Sequence, residues 1–269
     1  MPKLRDWYDT PLYYDIIFDA DTPKEGAFLD ALHERYGRAG QSRQLLEPAC
    51  GSGRLVSEMA RRGWKVSGFD GNARMLDFAK ERVQQQELNA RLWEDWMQSF
   101  ELPKVQTLDF AHCLVSTFKY LLKEQDSVAC LQRISAALKP GAIFALGVHL
   151  TNYSSQQKDH ERWVAERDGI KVTCNTHTWP ADRKKRLEDL RTRLTIEDKG
   201  RRHVQETRWQ FRTYNAKQMR ALLAKVHDFE LVACYDFTYD LLSPRELDDS
   251  YADVVLILKK KQSSPQSVL

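Results

Sequence analysis

Glu47, Gly51 and Gly53 stand in the stretch Glu47-Pro48-Ala49-Cys50-Gly51-Ser52-Gly53-Arg54-Leu55, between a strand signal and a helix signal. Glycines in such a turn let the backbone approach a ligand with no Cβ in the way. A dinucleotide turn asks for a third glycine three residues after Gly53, and position 56 is Val. A carboxylate four residues before the first glycine repels pyrophosphate and suits a cation. Two more acids end the next two strand signals. Asp70 is placed to accept both hydroxyls of a ribose. Asp95 is placed to accept an adenine amino group, with Trp96 beside it to cover the ring; Glu94 is adjacent, so a slip of one residue would exchange the two acids. Met75, on the following helix, is of the type that packs on the other side of adenine.

S-adenosylmethionine (SAM) has these features: an adenosine, an α-ammonium, a sulfonium and no phosphate. The cofactor-binding set is therefore Glu47, Ala49, Gly51, Gly53, Asp70, Met75, Asp95, Trp96 and Leu114. Each acid also has a plainer reading, Glu47 as a cap of the next helix and Asp70 as a turn acid. Cys50 has nothing nearby to activate it and reads as a small residue in the turn.

The elements that hold these residues alternate. Strands are expected at 44–49, 65–70, 90–95, 107–114 and 142–150, and helices at 55–62, 72–86 and 124–138. Met75, Leu76, Ala79 and Val83 fall on one helical face. Lys139-Pro140-Gly141 breaks the third helix. Alternation with nearly continuous apolar strands means a parallel sheet covered by helices on both faces. Ligands bind such sheets outside the carboxyl ends of the strands. Upstream, an aromatic segment precedes an amphipathic helix, with Thr22 as N-cap, Pro23 at its first position, and Gly37 and Gly40 closing it. From 151 to 213 the pattern becomes antiparallel, with strands at 170–178, 187–196 and 203–213 and turns at Asp168-Gly169 and Lys199-Gly200. A helix at 216–226 and strands at 229–237 and 252–258 return to the core, and a polar tail follows.

At these residues the chain resembles the class I SAM-dependent methyltransferases. Their first motif, acid-x-x-x-Gly-x-Gly, is matched by Glu47, Gly51 and Gly53. Asp70, in Gly68-Phe69-Asp70-Gly71-Asn72-Ala73-Arg74-Met75-Leu76, and Asp95 match the acids after strands two and three. Leu108-Asp109-Phe110-Ala111-His112-Cys113-Leu114-Val115 is similar to the fourth strand, and Leu138-Lys139-Pro140-Gly141 to the turn before the fifth. Ala142 replaces the usual second glycine of that turn. The likeness covers about 43–150 well and 215–258 in outline. It implies an α/β, Rossmann-like seven-stranded sheet of order 3-2-1-4-5-7-6, the last strand antiparallel, with an antiparallel β insertion after strand 5. The N-terminal region and the insertion resemble small-molecule enzymes of the glycine N-methyltransferase type. The organisation is then a lid at 1–42, a SAM-binding core at 43–150 and 214–261, an acceptor-side insertion at 151–213, and a tail at 262–269.

The resemblance implies methyl transfer from SAM, leaving S-adenosylhomocysteine, to a small or medium-sized metabolite. An RNA or protein methyltransferase using the insertion, or a non-catalytic SAM-binding subunit, are the alternatives. The Asn/Asp-Pro-Pro-aromatic motif of amino-adenine and amino-cytosine enzymes is absent after strand four, where Leu114-Val115-Ser116-Thr117-Phe118 stands. Candidates beyond the cofactor are His149 as a general base, Tyr14 (with Tyr13) closing over the methyl donor, and Arg212 pairing a substrate carboxylate. Arg212 and the pair Trp209 and Phe211 lie on opposite faces of one strand, so they do not all point inward. Mid-strand His112 reads as a satisfied core histidine.

Composition bounds these readings. The 269 residues are 42% hydrophobic and 29% charged, an ordinary globular balance. Mean hydropathy is −0.59, and no apolar run approaches the roughly 20 residues of a membrane-crossing helix. The N-terminus lacks the apolar core of a secretory signal, and the five cysteines show no metal spacing. No metal, no membrane and a reducing cytoplasmic location are expected. The net charge of +3 is too small to indicate nucleic acid. The insertion holds 15 basic and 10 acidic residues, with Arg183-Lys184-Lys185-Arg186 as a solvated turn or, less favoured, an RNA contact.

Overall fold

The computed structural model describes residues 3–38, 42–102 and 108–262. Gly40, Thr107 and nearly all of the tail lie outside them. The core strands are β1 (Gln44–Pro48), β2 (Lys65–Asp70), β3 (Ala90–Glu94), β4 (Leu108–Cys113) and β5 (Leu138–His149). Between them run α3 (Arg54–Arg61), α4 (Ala73–Gln85) and α5 (Glu124–Ala137), preceded by α1 (Pro11–Phe18) and α2 (Thr22–Tyr36). The insertion comprises β6 (Asp159–Arg167), β7 (Ile170–Thr178), β8 (Leu187–Asp198) and β9 (Arg201–Arg212). Then come α6 (Ala216–Leu223), β10 (Phe229–Tyr235) and β11 (Asp253–Lys260).

The seven-stranded sheet has the order β3-β2-β1-β4-β5-β11-β10. With the insertion strands left out of the count this is the expected 3-2-1-4-5-7-6, and β11 runs antiparallel to β5. Period two divides its side chains between two cores. In β5, Phe144 and Leu146 join the cluster under α5 and α6, while Ile143 and Ala145 join the one under α2 and α3. In β11, Val254, Leu256 and Leu258 alternate with Val255 and Ile257 in the same way. All five cysteines are free and buried. Met75, Leu76, Ala79 and Val83 are the buried face of α4, whose N-terminus is capped by the Asn72 side chain.

Several expectations are corrected. Thr22 is not the cap of α2: Asp21 precedes the helix, and the Thr22 hydroxyl instead accepts from Arg54 Nη1 at 3.1 Å. The aromatic segment contains the helix α1. The last helix stops at Leu223, not Val226. The insertion has a fourth strand, β6, with seven of its nine residues exposed, so it carries no inside–outside alternation to read. The turns at Asp168-Gly169 and Lys199-Gly200 have positive φ at both residues, the geometry that joins strands most tightly.

The second sheet runs β9-β8-β7-β6, and Lys3–Leu4 adds a short parallel strand beside β9. Its inner face (Val172, Cys174, Leu194, Ile196) packs on Trp7 and Ile16 of the N-terminal segment. Insertion and N-terminus thus form one body above the carboxyl ends of β1, β4 and β5.

Candidate functional site

The turn after β1 holds three left-handed residues, Ala49, Gly51 and Gly53 (φ +52°, +55° and +71°). The two glycines serve different ends. A Cβ on Gly53 would lie 2.7 Å from Ala79 Cβ, so this glycine lets α3 approach α4. A Cβ on Gly51 would meet only the Tyr14 ring, at 3.9 Å; this is the glycine that faces open space.

Glu47 is buried at the end of β1, and its Oε2 has no hydrogen-bond partner. Burial, with Glu25 and Asp70 adding to it, pushes its carboxyl up to about 8 despite Arg54 and the Val56 N–H. An isolated buried carboxylate is costly, and a cation placed against it removes the cost. Glu47, Ala49, Gly51, Leu114 and Tyr14 line one narrow cleft with Cys50 and Arg54. Burial raises the Cys50 thiol well above its usual range, as suits an inert turn residue.

Asp70 at the end of β2 accepts from the Gly51 N–H and the Asn72 N–H, both at 2.8 Å. Asp95 follows β3, and its carboxylate accepts from the Trp96 N–H, Trp93 Nε1 and the Glu101 N–H at 2.8, 3.2 and 3.2 Å. The Asp95 N–H in turn donates to the Asp70 carbonyl at 3.3 Å. Glu94 ends β3 as an exposed side chain, so the acid held at this corner is Asp95. Trp96 is 59% exposed and its ring lies over Gly71, where a Cβ would come within 2.8 Å of it. Met75 is wholly buried in the first turn of α4.

The cleft opens into a cavity of about 650 Å³ that shares Tyr14, Arg54, Val115 and Thr117 with it. The N-terminal segment supplies Trp7, Tyr8 and Phe18; the insertion supplies Trp163, Trp179, Trp209 and Phe211; the core supplies Tyr120, His149 and Phe237. Trp7 and Trp209 stack with centroids 5.1 Å apart, and the Tyr8 and Tyr120 hydroxyls are hydrogen-bonded at 2.7 Å. Trp209 Nε1 is buried with no partner. Six carboxylates and three cations line the cavity. Arg54 is paired with Glu25 and Lys119 with Glu188, leaving Asp21, Asp159, Glu161 and Asp253 against Lys158. Burial raises the carboxyl of Glu161, with repulsion from Asp159 and Asp253 adding to it, and that of Asp253, with repulsion from Asp236 adding to it.

Two sequence expectations change here. Arg212 points away from the cavity: it donates to Glu124 Oε2 at 2.9 Å and to the Leu122 carbonyl at 2.8 Å, while Trp209 and Phe211 face inward. His112 is buried, but neither ring nitrogen has a partner, and burial pushes its imidazole down to about 3. The basic turn is solvated as expected at Arg183, Lys184 and Lys185; Asp182 accepts from the backbone N–H groups of Lys184 and Lys185, and the half-buried Arg186 bridges to Glu124 and the Thr213 carbonyl. His149 does reach the rim, 3.3 Å from Asp253, with its imidazole held by burial down to about 4. Of the two tyrosines, Tyr14 lines cleft and cavity, whereas Tyr13 packs on His203 outside them.

Asp15 was missed. It is fully buried and accepts from Ser52 Oγ at 2.7 Å, from Arg167 Nη2 at 2.7 Å and from Arg82. It ties α1 to the glycine turn, to α4 and to β6 at once. No spacing marks it in the sequence.

Residues 45–141 match the family described as "Methyltransferase domain". A Geobacillus sp. (strain WCH70) protein, whose name assigns it only to the methyltransferases, is 28% identical over 145 residues, 54% of this chain and 56% of its own length. The chain thus spans about half the length of that curated relative. Among solved structures, an S-adenosylmethionine-dependent methyltransferase from Clostridium acetobutylicum ATCC 824 superposes with a TM-score of 0.74 at 16% identity, covering 93% of this chain and 96% of that one. The sugar N-methyltransferase KedS8 from Streptoalloteichus sp. ATCC 53650 gives 0.70 at 15% identity, covering 97% and 96%. Residues 45–141 thus match a methyltransferase domain, and the chain has the fold of these S-adenosylmethionine-dependent methyltransferase structures.

Proposed function

We propose that the protein transfers a methyl group from SAM to an amine on a ring-bearing small molecule. The observation that carries this reading is the aromatic, acid-rich cavity opening directly from the cleft at Gly51 and Glu47. Its volume is in the range of small-molecule sites. Its unpaired carboxylates suit a cationic amine and repel phosphates, which disfavours the RNA alternative. The Trp7–Trp209 stack offers a flat apolar wall, and the orphan Trp209 Nε1 offers one donor to an oxygen of the acceptor.

SAM fits the residues present, because Glu47 supplies a buried carboxyl whose Oε2 lacks a hydrogen-bond partner. In this reading Glu47 holds the α-ammonium and Asp70 the ribose. Asp95 receives the adenine amino group, and Trp96, Met75 and Leu114 enclose the ring, with Ala49, Gly51 and Gly53 shaping the turn beneath. When bound, SAM supplies an activated sulfonium methyl that the amine displaces in line, leaving S-adenosylhomocysteine. The core therefore holds the donor, and the N-terminal segment and insertion select and orient the acceptor, largely by positioning and exclusion of water. His149, neutral at pH 7, orients through Asp253, and Glu161 and Asp253 draw the ammonium form of the acceptor to the rim, where one of these carboxylates accepts its proton and leaves the free amine that attacks. The sugar N-methyltransferase with the same fold is consistent with this acceptor class.

Calorimetric titration with SAM and with NAD, followed by methyl transfer to a panel of ring-bearing amines, tests the proposal. SAM alone is expected to bind, and amines to be methylated ahead of carboxylates and RNA. Equal binding of NAD defeats the cofactor assignment. SAM binding with no transfer to any amine defeats the catalytic one and leaves a SAM-binding subunit.

A further inference from the structure

The insertion sheet has two edges. The first, β9, is covered by Lys3–Leu4 at Gln205 and Glu206. The second is β6, whose free side no strand covers among the described residues. β6 pairs with β7 without a register shift, from Asp159 opposite Thr178 to Arg167 opposite Ile170. It contains no proline and no bulge, and of the devices that blunt an edge it carries only charged side chains. Trp163 and Val164 on it are 38% and 44% exposed.

The strand is complementary to itself. Glu161-Arg162-Trp163-Val164-Ala165-Glu166-Arg167, laid antiparallel on a second copy and centred on Val164, sets Glu161 opposite Arg167 and Arg162 opposite Glu166. Trp163 then meets Ala165, and Val164 meets its own copy. A slip of one residue in one direction opposes Glu161 to Glu166, and in the other Arg162 to Arg167. A slip of two that centres the pairing on Trp163 sets Glu161 on Ala165 and Arg162 on Val164, and replaces the two Arg162–Glu166 pairs by His160 opposite Glu166 and Asp159 opposite Arg167. Opposite charges facing across strands stabilise a ladder and like charges oppose it, so the register centred on Val164 is favoured over the one-residue slips, and over the Trp163 register by arginine in place of histidine opposite Glu166.

We propose that two copies of this chain associate through β6, edge to edge and antiparallel about a two-fold axis at Val164. The two sheets become one of ten strands. Arg167 stays bound to Asp15 and Asp19 of its own chain, so the two symmetric Arg162–Glu166 pairs carry the interface. This inference rests on the open edge and its charge pattern, independently of the proposed reaction.

Sedimentation velocity on the full chain across tens of micromolar tests it, with Arg162→Glu, Glu166→Lys and the double variant. Arg162 and Glu166 lie outside the cavity lining. The wild type is expected to reach twice the 31.4 kDa chain mass. Each single variant is expected to weaken the dimer about tenfold, because two symmetric pairs become repulsive, and the double variant to restore it. Val164→Cys fixes the register: it is expected to form an intermolecular disulfide under mild oxidation, whereas Ala165→Cys is not, the native thiols all being buried. A monomeric wild type, a dimer indifferent to both single charge changes, or cross-linking at 165 in place of 164 overturns the proposal.

Discussion

Two buried carboxylates flank the glycine turn, and they are held in opposite ways. Asp15, from the N-terminal segment, is surrounded by donors: Ser52 from the turn, Arg82 from α4 and Arg167 from β6. Glu47, from the core sheet, is equally removed from water, yet Oε2 has no partner and its carboxyl is pushed up to about 8. The first region spends its acid on joining parts of the chain. The second carries a cost that Arg54 and the Val56 N–H offset only in part. A fold optimised for stability alone would pair Glu47 or replace it, so the difference separates an acid kept for architecture from one that, on the proposed function, is kept for a ligand.

The largest expected effect is on the first acid. Asp15→Ala leaves Arg82 and Arg167 without their shared acceptor and should cost about 3 kcal/mol of stability by chemical denaturation. A loss no greater than that of a surface substitution would remove Asp15 from its architectural role.

Glu47→Gln should act in the opposite sense. Its folded pKa, about 8, exceeds its ordinary 4.5. The stability this protonated carboxyl contributes is therefore present below pH 4.5 and is lost as pH rises through 8. The variant should match the wild type near pH 5 and be more stable than it at pH 8.5. It should also bind SAM about 10- to 100-fold more weakly, the scale of a charge-assisted hydrogen bond. Wild-type SAM affinity should strengthen as pH rises from 6.5 to 8 and then level off, with proton release visible by calorimetry in buffers of different ionisation enthalpy. An unchanged SAM affinity in Glu47→Gln would erase the contrast with Asp15.

The smallest effect sharpens the contrast between the inner and outer faces of β9. Trp209→Ala should raise the acceptor KM about tenfold while SAM affinity moves less than twofold. Arg212→Ala, on the other face, should leave both unchanged and lower only the melting temperature. A rise in acceptor KM from Arg212→Ala alone would reverse the assignment of faces.

The core was legible because its strands are nearly continuous apolar runs that only a sheet covered on both faces accommodates, and because Glu47, Gly51, Asp70 and Asp95 fall at successive strand ends in order. The site's second half was less so. Period two placed Trp209 and Arg212 on opposite faces but carried no information on which face met the cavity; that depends on Glu124, 88 residues away in sequence, drawing Arg212 outward. β6 escaped because exposed residues fill both its faces. Asp15 escaped because its partners lie 37, 67 and 152 residues downstream. Gly51 and Gly53 looked equivalent, and only the contact with Ala79 tells them apart.

The five buried thiols give the molecule a set of built-in reporters. Cys50 sits in the glycine turn, Cys113 and Cys130 in the core beneath α5, Cys234 in β10 and Cys174 on the inner face of β7. None is exposed, so an alkylating reagent reaches each only when its own neighbourhood opens, and the labelling rate reads the free energy of that opening. Mapped by mass, the five rates would rank the layers of the fold by how often they breathe, and would show which of them falls silent when a ligand enters the turn.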